Sequence, residues 1–411
     1  MPSVDLRLTA MAHGGSALGR HEGQVIFVPY AIPGELVRVE ILESRARWAR
    51  ARLLEVLEPS DHRVEPPCPY FGPDQCGGCH FQHIDYEAQA ELKREIVIDQ
   101  LARVGGVHAA NVHQIIGAAE PWEYRNHAQF SVSPEGRLGF LTMDTHHVVP
   151  VEECLILEPL LDELWVALDM EWPQLRHLSL RCGSATGDQM AVFELDHYED
   201  FDIEVDIPVS CVILLADGEA VVLMGNAYLT EHVAGRDYRI SAASFFQVNT
   251  AGAEALVHLV RETLSPSGDD VLVDLYCGVG LFGLALADQV GRVIGIEADS
   301  SAASDFRQNA QGLDLVSLFE GKAQAILAKL QDRVDLMVLD PPRSGAGNNV
   351  IDEITRLGPR RIAYVSCDPA TLARDARHLT ERGYFLRKVQ PVDLFPQTYH
   401  VESVSLFARE D

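Results

Sequence analysis

Val271-Leu272-Val273-Asp274-Leu275-Tyr276-Cys277-Gly278-Val279-Gly280 is the stretch that decides the fold. The apolar run Val271 to Leu275 reads as a buried strand, and the glycines after it read as a tight turn into a helix. Glycine is needed in such a turn because a side chain would keep a ligand away from the backbone. Glu297 ends the next strand, Val293 to Glu297, about 20 residues on, where a carboxylate can accept hydrogen bonds from ribose hydroxyls. The same stretch spells Gly278-x-Gly280-x-x-Gly283, the dinucleotide fingerprint. On its own it therefore leaves a nicotinamide dehydrogenase and a methyltransferase both open. An Asp just before the turn suits a cofactor with an amine and no pyrophosphate.

Beyond this turn, strands and helices alternate. A helix from Ala251 to Leu264 precedes the first strand. After Glu297 come helix Ser300 to Ala310, strand Leu315 to Phe319, helix Ala323 to Leu330 and strand Leu336 to Leu339. A helix near Val350 to Leu357, strand Ile362 to Val365 and helix Thr371 to Glu381 complete the run. This pattern predicts an α/β domain with a doubly wound, mainly parallel sheet and ligands at the strands' carboxyl ends. The first sixty residues read differently, as short strands (Leu6 to Ala10, Gln24 to Val28, Glu35 to Leu42, Ala51 to Leu57) between Gly and Pro turns. They fit an RNA-holding β-barrel or any other small β-domain. Tyr86 to Val104 predicts a helix stopped by Gly105-Gly106. From Ala128 to about Ile240 the pattern is mostly strands, with one helix near Glu158 to Met170.

The chain's 411 residues exceed one ordinary core, so two or three domains are expected. Hydrophobic residues make up 47% and charged residues 23%, an ordinary globular balance. No apolar run reaches membrane-spanning length, and the N-terminus lacks the basic start and apolar core of a secretory signal, so a cytoplasmic enzyme is the simplest reading. The formal net charge of -28 speaks against a polyanionic partner unless a basic patch exists. Glu194 to Glu219 holds Asp196, Glu199, Asp200, Asp202, Glu204, Asp206 and Asp217 with no Lys or Arg, whereas Arg45, Arg47, Arg50 and Arg52 form a basic run around Trp48. Of eight cysteines, Cys68, Cys76 and Cys79 cluster, with Gly77-Gly78 letting the chain wrap tightly. Together with Cys154 they suit a soft metal, as zinc or as an iron–sulfur cluster.

Three further motifs sit after strands. Asp340-Pro341-Pro342-Arg343 is a rigid turn that holds an acid and a base at the mouth of the sheet. Ser366-Cys367-Asp368-Pro369 places Cys367 before a helix whose dipole stabilises a thiolate, although a lone cysteine is usually a buried small hydrophobe. Tyr399-His400-Val401-Glu402 opens the last strand, and alternation puts His400 and Glu402 on one face, with Glu402 as a candidate base.

With Phe245-Phe246-Gln247-Val248-Asn249 added, this ordered series resembles the RNA uracil-5 methyltransferases over almost the whole chain. The resemblance implies a small OB-like RNA-binding barrel, called TRAM, in residues 1–60. A central, mainly β domain carrying an iron–sulfur cluster would follow in 61–245, and a Rossmann-like class I methyltransferase domain in 246–411. It implies a 4Fe-4S cluster on Cys68, Cys76, Cys79 and Cys154. S-adenosyl-L-methionine would be held by Gln247, Tyr276, Glu297 and Asp340. Cys367 would attack carbon 6 of a uridine and Glu402 would remove the carbon 5 proton. Arg343 would orient the substrate. The barrel-plus-cluster layout resembles enzymes of 23S rRNA, with tRNA the second substrate, and relatives suggest a monomer. The sequence departs from the family at Leu281, at Gly321-Lys322, and at His127 of Tyr124-Arg125-Asn126-His127, where Lys or Arg is more usual. A non-catalytic RNA-binding protein and a nicotinamide-dependent oxidoreductase are the competing readings; intact Cys367 and Glu402 count against the first, and no hydride partner supports the second.

Overall fold

The structure, a computed structural model, describes residues 3–108, 110–143, 147–168, 175–197 and 206–409. Glu199, Asp200, Asp202 and Glu204 of the acidic stretch, and the Met170 end of the expected helix, lie outside the described residues.

The chain opens with a closed barrel in the order β1-β2-β3-β5-β4: β1 (Ser3–Met11), β2 (Ala17–His21), β3 (Gln24–Val28), β4 (Leu36–Ser44) and β5 (Trp48–Glu58). Alternation sends Leu6, Leu8, Val37, Val39, Ala49 and Ala51 into its core and leaves Arg50 and Arg52 outside. Strand β2 is absent from the sequence reading because Gly19 there imitates a turn. A Cβ at Gly19 would lie 2.4 Å from the Arg7 carbonyl oxygen, so glycine serves close strand approach.

Helix α1 (Tyr86–Arg103) is capped by Asp85, whose carboxylate accepts from the Ala88 amide at 2.8 Å. Strands β6 (His127–Val132), β7 (Leu138–Leu141) and β8 (Val148–Pro150) follow, then helix α2 (Pro159–Ala167). With β9 (His177–Cys182), β10 (Gln189–Leu195), β11 (Ser210–Leu215) and β12 (Ala220–Met224) they form a seven-stranded sheet in the order β12-β11-β10-β9-β6-β7-β8. Leu161 and Leu164 of α2 pack on Phe130, Leu178, Leu180 and Phe193 of this sheet. A hairpin, β13 (Tyr228–Val233) and β14 (Arg236–Ser241), leads to helix α3 (Thr250–Leu264).

The last unit alternates β15 (Val271–Leu275), α4 (Leu281–Ala285), β16 (Arg292–Glu297), α5 (Ser300–Asn309), β17 (Val316–Glu320), α6 (Ala323–Leu327), β18 (Leu336–Leu339), α7 (Asn348–Leu357), β19 (Arg361–Ser366) and α8 (Pro369–Thr380), and ends with β20 (Tyr384–Val392) and β21 (Glu402–Arg409). Its sheet runs β17-β16-β15-β18-β19-β21-β20, with only β21 antiparallel to its neighbours. Buried side chains of α3, α4 and α5 cover one face and those of α6, α7 and α8 the other. Val97 and Leu101 of α1 join the second face, so α1 packs on this sheet although it lies far upstream. Strand β20 escaped the sequence reading because Pro391 and a bulge between Leu386 and Lys388 break its alternation. The final strand begins at Glu402, so His400 precedes it and the expected shared face does not exist.

Helix α1 is tied to the sheet by an ion pair, Lys93 Nζ to Asp393 Oδ1 at 2.6 Å, with both side chains wholly buried. Lys93→Met strands a buried carboxylate, so it should cost about 3–5 kcal/mol in urea unfolding, and the double variant Lys93→Met/Asp393→Leu should recover most of that. An equal loss in both would show that the charge is not the cause.

Candidate active site

Parallel strands deliver only their carboxyl ends to a sheet's binding edge. Here Tyr276 follows β15, Glu297 ends β16, Asp340 follows β18 and Cys367 follows β19, all at that edge. Antiparallel β21 brings its first residue to the same edge. Ser366 pairs with Ser403, so the next step of the register sets Cys367 opposite Glu402.

The glycine turn is strained and clamped. Tyr276 sits at φ 64 in the left-handed region, an arrangement that persists only where the surroundings impose it. Its amide donates to the Ile296 carbonyl at 2.9 Å. Glu297 accepts from the amides of Gly278 (2.9 Å), Ala298 (2.6 Å) and Asp299 (2.7 Å). Buried Asp274 accepts from the Gly283 amide at 2.7 Å, while its other oxygen, Oδ1, has no partner. A Cβ at Gly283 would stand 2.7 Å from Asp274 Oδ2, so that glycine is required by close approach. Gln247, just before α3, points its amide to Asp340 Oδ2 at 3.5 Å. Burial pushes the carboxyls of both Asp274 and Asp340 up to about 7.

The reactive corner is acidic. Burial, then the Glu402 and Asp340 charges, push the Cys367 thiol up to about 12, with Arg343 opposing them. The helix start acts in the opposite direction, with a dipole contribution of about 0.3–1 kcal/mol toward the thiolate. Glu402 is 3% exposed, its Oε1 has no partner, and burial and the Asp340 charge hold its carboxyl well above the usual range. A thiol raised by burial, a buried carboxyl held above its usual range and the Arg343 guanidinium thus lie within electrostatic reach of one another. Asp368 caps α8 by accepting from the Thr371 amide at 2.8 Å. Although burial opposes it, the hydrogen bond from His13 Nε2 (3.2 Å) helps keep the Asp368 carboxyl at about 2.

Cys68, Cys76, Cys79 and Cys154 line one cavity of ≈ 270 Å³, with Tyr70, Phe71 and Arg125. The Gly78 amide donates to Cys76 Sγ at 3.4 Å, and a Cβ at Gly77 would lie 2.7 Å from the Met143 nitrogen. Gly77 is therefore required by close approach to the backbone at Leu141 to Met143. The expected metal ligation is not shown: among the described residues no three Cys, His, Asp or Glu side chains are grouped to hold a metal ion. All four thiols are free, and burial raises each of them.

The geometry meets known proteins at this point. The family model described as tRNA (Uracil-5-)-methyltransferase matches residues 206–410, and that of the TRAM domain matches residues 4–54. A protein of Streptomyces avermitilis described as an RNA methyltransferase is 38% identical, with 98% of this chain and 97% of that one covered. The chain belongs to the RNA uracil-5 methyltransferase family. A similar RNA methyltransferase of Thermosynechococcus vestitus is 36% identical over 98% of this chain and 97% of its own length. Among solved structures, the tRNA (uracil-54, C5)-methyltransferase of Pyrococcus abyssi, in complex with S-adenosyl-L-homocysteine, superposes with a TM-score of 0.79 at 25% identity, covering 99% of both chains.

This methyltransferase uses S-adenosylmethionine and acts on RNA. Its cradle fits the cofactor, since an acid-lined turn with an unpartnered buried Asp274 oxygen suits a cationic ligand. One contact that builds the site left no trace in the sequence. His13 arrives from the barrel, 355 positions before Asp368. Tyr124 and Asn126 of the motif with the unusual His127 act as struts, Tyr124 Oη donating to Pro396 O (3.0 Å) and Asn126 to Thr250 Oγ1 (2.9 Å). His127 itself is driven neutral by burial, which removes it as a phosphate-binding cation. No helix among the described residues is long and apolar enough to cross a membrane.

Because the free thiol is protonated near neutral pH, iodoacetamide should alkylate Cys367 slowly at pH 7 and faster as pH rises. Glu402→Gln removes a repelling carboxylate and should speed alkylation at pH 8, while Arg343→Gln should slow it. Mass spectrometry of the Cys367 peptide reads this out. Fast, pH-independent labelling would contradict the site's electrostatics.

Proposed function

We propose that this methyltransferase modifies carbon 5 of a uridine through a covalent bond from Cys367 to carbon 6, with Glu402 as the base. Support for the reading comes from the β19–β21 register, whose last pair, Ser366 with Ser403, immediately precedes Cys367 on one strand and follows Glu402 on the other. Carbon 5 of uracil is a weak nucleophile. With its thiol proton released to solvent, the Cys367 sulfur would add at carbon 6 and move the ring's electron pair toward carbon 5 and oxygen 4; carbon 5 would then take the methyl group, the donor's sulfur keeping the electron pair of the broken bond. Glu402 removes the carbon 5 proton, the pair returns to the ring, and the carbon–sulfur bond breaks. A carboxyl raised by burial is a stronger base than an exposed one, which favours this step. Bound S-adenosylmethionine supplies the methyl group and a sulfonium charge that favours the thiolate in this acidic corner. Gln247, Tyr276, Glu297 and Asp340 would hold it, and exposed Arg343 would orient the substrate.

The RNA path runs over the barrel. A cavity of ≈ 590 Å³ lined by Phe27, Arg50, His80, Tyr399 and His400 joins barrel and sheet edge, and Phe245 stands 68% exposed. We assign 23S rRNA as the substrate, on the pairing of the barrel with a cysteine loop, and a monomer as the working unit. Transfer RNA is the second reading, favoured by the full-length likeness to the Pyrococcus abyssi enzyme. Cys68, Cys76, Cys79 and Cys154 would hold a 4Fe-4S cluster of structural function. Support comes from their shared cavity and from the chemistry of four thiolates, which a cluster spreads over four irons rather than one.

Cys367→Ala should abolish both turnover and capture of 5-fluorouridine RNA, whereas Glu402→Gln should accumulate a methylated adduct on denaturing gels. Absence of that adduct removes Glu402 from the base role. Mapping 5-methyluridine in ribosomal and transfer RNA from cells with and without the protein decides the substrate.

Anaerobic purification should yield a brown protein with iron and sulfide, and a colourless zinc protein would overturn the cluster.

A further inference from the structure

Residues 393–401, the strap between β20 and β21, deliver the chain to Glu402, and four successive carbonyls of the strap, Leu394 to Gln397, are each gripped by a different part of the molecule. Leu394 O accepts from Asn249 Nδ2 at 3.1 Å, Phe395 O from Lys93 Nζ at 3.0 Å, and Pro396 O from Tyr124 Oη at 3.0 Å. Gln397 O accepts twice, from the amides of His80 (2.8 Å) and Phe81 (2.9 Å), in the turn that follows Cys79. Gln397 is itself in the left-handed region, at φ 67, where a non-glycine residue costs of order 1–3 kcal/mol. Glycine would adopt that backbone more cheaply. What glycine lacks is the side chain, and the Gln397 side chain is buried against α1. Gln89 Nε2 donates to Gln397 Oε1 at 2.9 Å, and the Gln397 amide donates to Gln89 Oε1 at 3.1 Å. The two glutamines thus interlock across 308 residues of sequence, five residues before the carboxyl at the reactive corner.

We propose that Gln397 is a positioning residue: clamped by Gln89 and by the turn after Cys79, it sets the point at which the strap enters β21 and so the placement of the Glu402 carboxyl. The inference rests on Glu402 acting as the base. Gln397 touches neither uridine nor cofactor in this assignment. A displaced strap shifts the carboxyl relative to carbon 5 while leaving Cys367, which hangs from β19 and α8, in place. Addition and methyl transfer are then preserved, and proton removal is selectively lost.

The test is a single-turnover assay on the full chain with RNA tritiated at uridine carbon 5 and radiolabelled S-adenosylmethionine. It follows methyl transfer and tritium release in the same reaction. Gln397→Gly relieves the backbone and removes the side-chain half of the clamp, the bond from Gln89 Nε2 to Gln397 Oε1, while the main-chain bonds remain. It should leave methyl transfer unchanged, slow tritium release by roughly 10²-fold, as misplacement of a catalytic group by about 1 Å does, and accumulate the methylated adduct. Gln89→Ala removes the clamp from the helix side without touching the strap, so it should act in the same direction, and it carries the test if Gln397→Gly does not fold. Equal slowing of both steps, or unaltered tritium release, in the folded variant overturns the proposal. Glu402→Gln in the same assay separates the two readings. If it fails to build adduct, the base assignment falls. If it builds adduct and neither glutamine variant does, only the strap inference falls.

Discussion

The backbone ladder between β19 and β21 is the constraint on which the site depends. A doubly wound sheet brings strand ends to its binding edge, but every parallel strand arrives there by its carboxyl terminus. The antiparallel strand is the means by which a strand start reaches the same edge, and Glu402 is that start. Its neighbours are fixed on both sides, Ser403 opposite Ser366 in β19 and Glu402 opposite Val392 in β20. A slip of one residue would exchange the faces of every side chain and put Ser403 where Glu402 stands. The geometry of this edge is therefore written in main-chain hydrogen bonds. The strap, α1 and the cysteine turn are packed so as to present the chain at that register.

Charge is distributed as the chemistry requires, although its total suggests otherwise. The carboxyls of Asp274, Asp340 and Glu402 gather at the strand ends, and burial raises all three. The exterior of the barrel shows Arg50 and Arg52, because Ala49 and Ala51 occupy the inward positions of the same strand. A net charge of -28 is a sum over regions that meet different ligands, and the local patch governs association with a polyanion. The same local accounting explains why Cys367 is not a resting thiolate. A helix start favours the anion slightly, while burial and flanking carboxylates oppose it more strongly.

What could be read in advance follows from the range of the interactions. Strands β3, β15 and β18 and helix α1 obey local periodicity, and the expected and observed boundaries agree to within a residue. The catalytic and cofactor candidates lie in turns whose composition is itself the signal: glycines after β15, paired prolines after β18, a cysteine before a proline after β19. Gly19 and Pro391 misled because the same residue types mark turns, a close approach and an edge strand alike. Lys93 with Asp393, Gln89 with Gln397 and His13 with Asp368 are each separated by about 300 residues or more, and no local pattern encodes their meeting. The four cysteines were legible as a group by spacing, and the structure gathers them around one cavity without by itself showing a metal.

The barrel is not a loosely tethered accessory. His13, in the turn after β1, hydrogen-bonds Asp368, the residue next to Cys367 and the cap of α8. Beside it, Gly15 lies against Tyr399 so closely that a Cβ would stand 2.9 Å from the tyrosine's own Cβ. One barrel turn therefore touches both arms of the reactive corner, the loop that carries the thiol and the strap that leads to the carboxyl. Glycine at position 15 serves two requirements at once, a left-handed φ of 82 and the absence of a side chain. The barrel is thus seated directly on the loop that carries Cys367 and on the strap that leads to Glu402, and a load on it bears on both.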